Sequence, residues 1–419
     1  MTETLADPHT NEASVAVPFN RWIPVIAGIA IQLCLGTAYI WGVFQPAVTG
    51  LFHWSNATAA LTFSFLLGVL TLGSTIGGKI QDRFTPKPVV FGGGLVLGAG
   101  FILASFTTAG APWWLWLTYG GIGGFGMGTI YTTVIACCQK WFPDKRGFIT
   151  GIIVSALGFG GLIFTPVAST LIKSSGVLQT FTWFGVIFII VCSIGALFIV
   201  NPPAGYAPAG WTPPERKAGG HIVQDFTPKE TLKTPQFYMI IFAFMLATAA
   251  GLMIIPFAKV LGTAGGLTPA VATSGVMVIS IFNSSGRLFW GWLSDKIGRK
   301  NTLIILTLMA GTSILFVSSA QSYMILVLIA IVAFSYGGFL GTFPALTADF
   351  WGIKNMGTNY GMVLLGFGIG AVAASFVAGY IKDHTGNFFW AFIIASAASY
   401  LGFLLVLFLK PPSLKKAEA

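Results

Sequence analysis

The sequence predicts an all-α membrane protein, with twelve transmembrane helices in two pseudo-symmetric halves of six. Three observations carry that prediction. Of the 419 residues 55% are hydrophobic and 8% charged, and mean hydropathy is +0.82, far from the balance of a water-soluble domain. Apolar runs long enough to cross a bilayer follow one another with short polar connections. Finally, a Gly–three residues–Asp–basic motif occurs twice, from Gly78 to Asp82-Arg83 and from Gly291 to Asp295-Lys296, 213 residues apart. Each copy ends the second span of a six-span half, which marks an internal repeat.

The spans fall near 22–46, 57–80, 88–108, 113–139, 147–173, 179–200, 236–261, 268–294, 300–319, 322–349, 356–381 and 387–409. Residues 1–20 read as a disordered cytoplasmic N-terminus without the basic, apolar and small-residue succession of a signal peptide. Residues 21–200 form the first half, 201–234 a cytoplasmic linker, 235–410 the second half and 411–419 a cytoplasmic tail. Span 1 has Gln32, Thr37 and Tyr39 as polar members, and Gln45-Pro46 is expected to end its apolar run. Tyr39 has two readings, a hydrogen-bond donor into a central cavity or an interfacial belt aromatic.

Span 4 is dense in glycine and contains a formal G-x-G-x-x-G at Gly121, Gly123 and Gly126. That pattern binds dinucleotides only between a strand and a helix; inside an apolar span it serves close helix packing. Span 5 continues the small-residue theme with Gly147, Gly151, Ser155, Gly158 and Gly161, and Phe164-Thr165-Pro166 can kink it. In the linker, Thr227-Pro228-Lys229-Glu230 supplies an N-cap, a proline at N1 and a glutamate at N3, the signature of a short interfacial helix. Tyr336 lies mid-membrane in span 10, either fixing a carboxylate or hydroxyl or packing the core. Span 11 ends on the outer side in Lys382, Asp383 and His384, the dense ionisable cluster of that side. Proton coupling through these groups competes with a solvated-loop reading.

A net charge of +10 suggests nucleic acid until its distribution is read. Of 22 Lys and Arg, 18 fall in alternate connections and the two tails. That is the positive-inside rule, with both termini cytoplasmic and an even number of spans. The basic excess is topological, and no nucleic-acid partner is implied. Cys34, Cys137, Cys138 and Cys192 all lie within spans without ligand spacing to a histidine, so they read as small packing residues. No metal, cofactor or catalytic residue is expected. An intramembrane enzyme would need a nucleophile beside a base, and no span holds a histidine or acid near its middle.

One cation breaks the pattern. Arg287 stands inside span 8, eight residues before Asp295, hence ~12 Å from that end and close to mid-membrane. Ser280, Asn283, Ser284, Arg287 and Gly291 share one helix face with it. An arginine at that depth costs roughly 2.5–3.5 kcal/mol even on lenient insertion scales, so it should face a watery cavity. Two readings remain: an ion pair with a neighbouring helix, or an anchor for an anionic substrate. Because no Asp or Glu lies near mid-membrane, the anchor is favoured, with Asn283 one turn earlier donating an amide N–H to the same anion.

The doubled motif, GKIQDRF and GWLSDKIGRK, resembles the signature loop of the major facilitator superfamily across roughly residues 20–410. Within it, WFPDKRG (Trp141–Gly147), NPPAGY (Asn201–Tyr206), TPQFY (Thr234–Tyr238), NSSGRLFWGWLSDKIGR and NYG (Asn359–Gly361) resemble the oxalate:formate antiporter family, which includes bacterial monocarboxylate (lactate/pyruvate) transporters. The resemblance implies two six-helix bundles around a central cavity and alternating access. It also implies a gating role for Asp82, Arg83, Asp295, Lys296 and Arg299, whose acids lock the inner ends through basic or helix-N-terminal groups. Tyr131 resembles the family's cavity-lining tyrosine of span 4, and Tyr336 its span-10 aromatic. Oxalate-exchanging relatives carry a second cation in span 11, where this chain has Phe367; animal relatives carry an Asp where this chain has Asn283, and a span-1 lysine that it lacks. The expectation is therefore a monomeric secondary carrier in the inner membrane of a bacterium, moving a small monocarboxylate anion with a proton. A formate/oxalate-type exchanger is the alternative, followed by a transporter-like carboxylate sensor.

Overall fold

The computed structural model describes residues 20–208, 210–211 and 225–412. Among them ten helices are long and apolar enough to cross a membrane. One of the ten, Arg146–Ala196, has 51 residues, too many for one crossing, and it turns at Gly176, whose φ of +79° suits a residue without Cβ. Pro269–Ile297, with Arg287 inside it, completes the twelve spans.

In chain order they are α1 (Trp22–Phe52), α2 (Asn56–Arg83), α3 (Pro86–Ala104), α4 (Pro112–Trp141), α5 (146–175) and α6 (177–196). The second half follows as α7 (Pro235–Ile254), α8 (Pro269–Ile297), α9 (Arg299–Val317), α10 (Met324–Trp351), α11 (Met356–Thr385) and α12 (Phe389–Leu407). Local chemistry sets several boundaries. The Ser55 hydroxyl accepts the Thr58 N–H and starts α2, while Thr268 followed by Pro269 starts α8. Gly298, at φ +88°, separates α8 from α9. Before α7, Thr227 and Glu230 form the expected capping box on the short helix Pro228–Lys233. The Thr227 N–H holds the Glu230 carboxyl below its ordinary range.

One proline behaves differently from the sequence reading. Pro46 does not end α1, which runs on to Phe52 after a 3-10 segment at Gly36–Ile40. Pro166 is carried inside α5, whose end is marked by the non-helical backbone at Gly176.

Six helices of each half pack into a bundle. The first has a buried aromatic centre of Phe44, Phe101, Tyr119, Phe181, Phe184 and Phe188. The bundles meet mainly where α5 crosses α8 and α2 crosses α11. Both crossings bring glycine onto glycine: a Cβ on Gly78 would collide with the Gly357 backbone, and one on Gly291 would lie 2.5 Å from the Gly147 carbonyl. These contacts close the molecule at the end that carries most basic residues, hereafter the basic end.

The linker is fastened at both described ends. The Val200 carbonyl accepts the Trp141 indole N–H at 2.7 Å, and Tyr206 packs on Trp141. At the far end Phe226 donates to the Trp351 carbonyl at 2.9 Å, and its own carbonyl accepts from Asn355 and Asn359. NPPAGY and the asparagine of NYG are thus anchors for the connection between bundles.

Candidate functional site

Helix α8 places Asn283, Ser284, Arg287 and Gly291 on one face, and α5 and α10 bring glycines and serines against it. Ser155 donates to the Ser284 carbonyl at 2.7 Å, and Gly151 and Gly341 approach the Arg287 backbone. Such close backbone approach leaves little room for the Arg287 side chain except toward the space between the bundles.

The guanidinium is fully buried and has three protein acceptors. Nε donates to Asn283 Oδ1 at 3.1 Å, Nη1 to the Val154 carbonyl at 2.7 Å and Nη2 to the Tyr39 hydroxyl at 3.1 Å. The Tyr39 ring centroid is 5.6 Å from its central carbon. A guanidinium has five N–H groups, so among the described residues two find no partner. Among the described residues no carboxylate reaches it, so the ion-pair reading is not the arrangement found.

Arg287 lines a cavity of about 40 Å³ between the bundles, together with Tyr39, Met127, Tyr131, Leu340, Leu364 and Phe367. At roughly 10–15 Å³ per water, that space suits three or four waters or an anion of a few heavy atoms. One side of it is polar, formed by Arg287 and two tyrosines; the rest is aliphatic or aromatic.

The other sequence-predicted residues divide into those at the cavity and those elsewhere. Asn283 is at the site, but its carbonyl oxygen holds Arg287 in place, whereas the sequence reading had its amide donating to an anion. Tyr336 does not line the cavity; its ring lies 6.5 Å from that of Phe367. Lys382 rests over the Phe257 and Phe388 rings, and exposed His384 meets the Tyr380 carbonyl at 2.9 Å. Lys382 follows Phe367 by fifteen residues, which is ~22 Å along α11, so this cluster is remote from the cavity. The side chain of Asp383 lies outside the described residues.

The two motif acids both cap helices of the opposite bundle. Asp295 accepts the N–H of Gly147 at 3.0 Å and of Phe148 at 2.8 Å, at the start of α5. Asp82 accepts from Thr358 N at 2.7 Å, Thr358 Oγ1 at 2.8 Å and Gly357 N at 3.3 Å, at the start of α11. Arg299 joins Asp295 at 2.6 Å to Asp349 at 2.9 Å, and Arg146 meets the same Asp349 at 2.9 Å. Lys296 lies over Trp292 and Arg83 over Phe84, and among the described residues neither forms an ion pair across the bundles.

Sequence reasoning missed Arg146, the Val154 carbonyl and Tyr360. The Tyr360 hydroxyl is 3.4 Å from that of Tyr131. Arg146 stood within WFPDKRG and Tyr360 within NYG, yet neither motif says what its side chain touches. A backbone carbonyl leaves no mark in sequence at all.

Against this geometry, the model of the Major Facilitator Superfamily matches residues 26–303 and 240–419. An MFS-type transporter of Escherichia coli strain K12, YhjX, is 32% identical over 356 residues, covering 84% of this chain and 86% of that protein. The oxalate:formate antiporter of Oxalobacter formigenes is 30% identical over 424 residues, covering 97% and 95%. Rat monocarboxylate transporter 13 is 25% identical, covering 90% and 86%. In fold, the chain resembles the transporter FucP in its outward conformation, with a TM-score of 0.70 at 17% identity over 93% of this chain and 99% of that one. With twelve spans in two bundles, the chain belongs to the Major Facilitator Superfamily of membrane transporters and groups there with the oxalate:formate antiporter family.

Proposed function

We propose that the protein carries small monocarboxylate anions, of the lactate and pyruvate kind, across a bacterial inner membrane by alternating access, together with a proton. The basic end is the cytoplasmic one in this reading. The observation that carries it is a fully buried guanidinium with two uncommitted N–H groups, lining a small cavity between bundles. One free N–H on each terminal nitrogen can be offered to a single carboxylate. Tyr39 and Tyr131 supply hydroxyls to the same space, and Phe367, Leu340 and Leu364 give the organic tail an apolar wall. A second carboxylate would find no second cation among the lining residues, which disfavours dicarboxylates. Two acids at the basic end hold that side shut while the site faces the other way.

Among the described residues no acid or histidine lines the cavity, so in the symport mode the proton travels on the substrate carboxylate. The same observation favours anion exchange as a second reading, since only a fresh anion would neutralise Arg287 for the return step. Labelled lactate flux in proteoliposomes separates the two. Uptake driven by a pH gradient with no trans anion supports symport; uptake only against trans anion supports exchange; no flux in either condition overturns the carrier reading. Arg287→Lys keeps the charge and loses the fork, so affinity should fall by about 10-fold or more while remaining measurable. Wild-type affinity in that variant would refute bidentate recognition, and stronger thermal stabilisation of the purified protein by oxalate than by monocarboxylates would refute single-carboxylate anchoring.

A further inference from the structure

We infer that the hydroxyl pair of Tyr131 and Tyr360 is a gate in the cavity floor, the contact that must part before cargo leaves toward the basic end. Tyr131 belongs to α4 of the first bundle and Tyr360 to α11 of the second, with hydroxyls 3.4 Å and ring centroids 6.4 Å apart. Both side chains are buried. Tyr131 lines the cavity, but Tyr360 does not. Tyr360 precedes the cavity residue Phe367 by seven positions, so it lies ~10 Å nearer the basic end along α11. Two residues before it stands Thr358, which holds Asp82. The start of α11 therefore runs from latch, through the hydroxyl pair, to the cavity wall.

This pair differs in kind from its neighbours. Asp82, Asp295 and Ser155 hold backbone groups across the bundles, and Arg146 with Asp349 is an ion pair at the rim. Tyr131 and Tyr360 are neutral, and their bond breaks without leaving a buried charge. A single neutral hydrogen bond changes an equilibrium by about two- to ten-fold, enough to bias closure and little enough to open in each cycle. Neither hydroxyl is required to fill space, because phenylalanine has the same ring.

Spin labels on Lys87→Cys and Lys354→Cys test this, both positions being exposed, one on each bundle, while Cys34, Cys137, Cys138 and Cys192 are buried. In Tyr360→Phe the population with a long label distance should rise about two- to ten-fold. Adding Tyr131→Phe should change it no further, since one bond is lost only once. Transport by Tyr360→Phe should change in maximal rate and leave the substrate concentration for half-maximal rate unaltered. An unchanged distance distribution, additive effects in the double variant, or a change confined to apparent affinity would each overturn the gate. The inference rests on alternating access by this carrier, but the distances are read on the empty protein, so a wrong cargo leaves their outcome intact.

Discussion

The two motif copies face each other across a pseudo-twofold, and they lock the same end of the molecule with different chemistry. At the α5–α8 crossing, Asp295 caps α5 and is also tied through Arg299 to Asp349, which Arg146 grips from the opposite bundle. At the α2–α11 crossing, Asp82 caps α11 with help from the Thr358 hydroxyl and Gln81, and no ion pair involves it among the described residues. Glycine contacts and a carboxylate on a helix N-terminus are common to both. Both copies of the repeat thus make the contact that closure needs, and one carries an ionic brace as well. That difference makes the Asp295 side the stronger latch and the Asp82 side the one that yields with less effort.

The largest expected effect follows from removing the two acids. Asp295→Asn deprives two N–H groups and Arg299 of a charged acceptor, and should weaken closure and thermal stability by about 2–4 kcal/mol. Asp82→Asn keeps an acceptor for the Thr358 hydroxyl and removes no ion pair, so about 1–2 kcal/mol is expected there. Thermal unfolding of the two purified variants, together with the label distances across the basic end, checks the ranking. Equal losses would mean that the ionic brace contributes nothing beyond the helix caps.

Much of the fold was already visible in the chain, and the invisible part has a physical reason. Hydropathy and the alternating basic connections suffice for twelve spans because lipid punishes any departure from them. The depth of Arg287 and the absence of acids around it followed from counting along helices. Its partners did not: Val154 offers a carbonyl, and Tyr39 comes from a helix 248 residues earlier in the chain. Asn283 was placed correctly one turn from Arg287, but which end of its amide points inward depends on the arginine rotamer. The run from Lys382 to His384 drew attention as the outer ionisable cluster, yet distance along α11 removes it from the cavity. Pro46 misled because a proline ends an isolated helix more surely than one packed in a bundle.

Salt sharpens the comparison at a smaller scale. Asp349 is about a third exposed, so the brace is open to screening ions, whereas the Asp82 latch is made of short hydrogen bonds to α11. Raising ionic strength from about 0.1 to 1 M shortens the screening length from about 10 to 3 Å. The stability gap between Asp295→Asn and wild type should narrow by roughly 0.5–1 kcal/mol over that range, while the gap for Asp82→Asn should stay constant. Parallel unfolding series at the two salt concentrations provide the measurement, and a common slope for both variants would remove the ionic distinction.

The finest test lies within the weaker latch. Thr358 gives Asp82 two hydrogen bonds, one from its backbone at 2.7 Å and one from its hydroxyl at 2.8 Å. Thr358→Val deletes the second and keeps the first, with nearly unchanged volume and the same branching at Cβ. About 1 kcal/mol should be lost, as for one hydrogen bond to a charged group that retains other donors. In an Asp82→Asn background the same substitution should cost less, because the acceptor is no longer charged. A double-mutant cycle on unfolding free energies reads that coupling directly. Its absence would assign the closure of the α2–α11 crossing to Gly78 on Gly357 alone, and the carboxylate would then be a bystander at a contact made by two backbones.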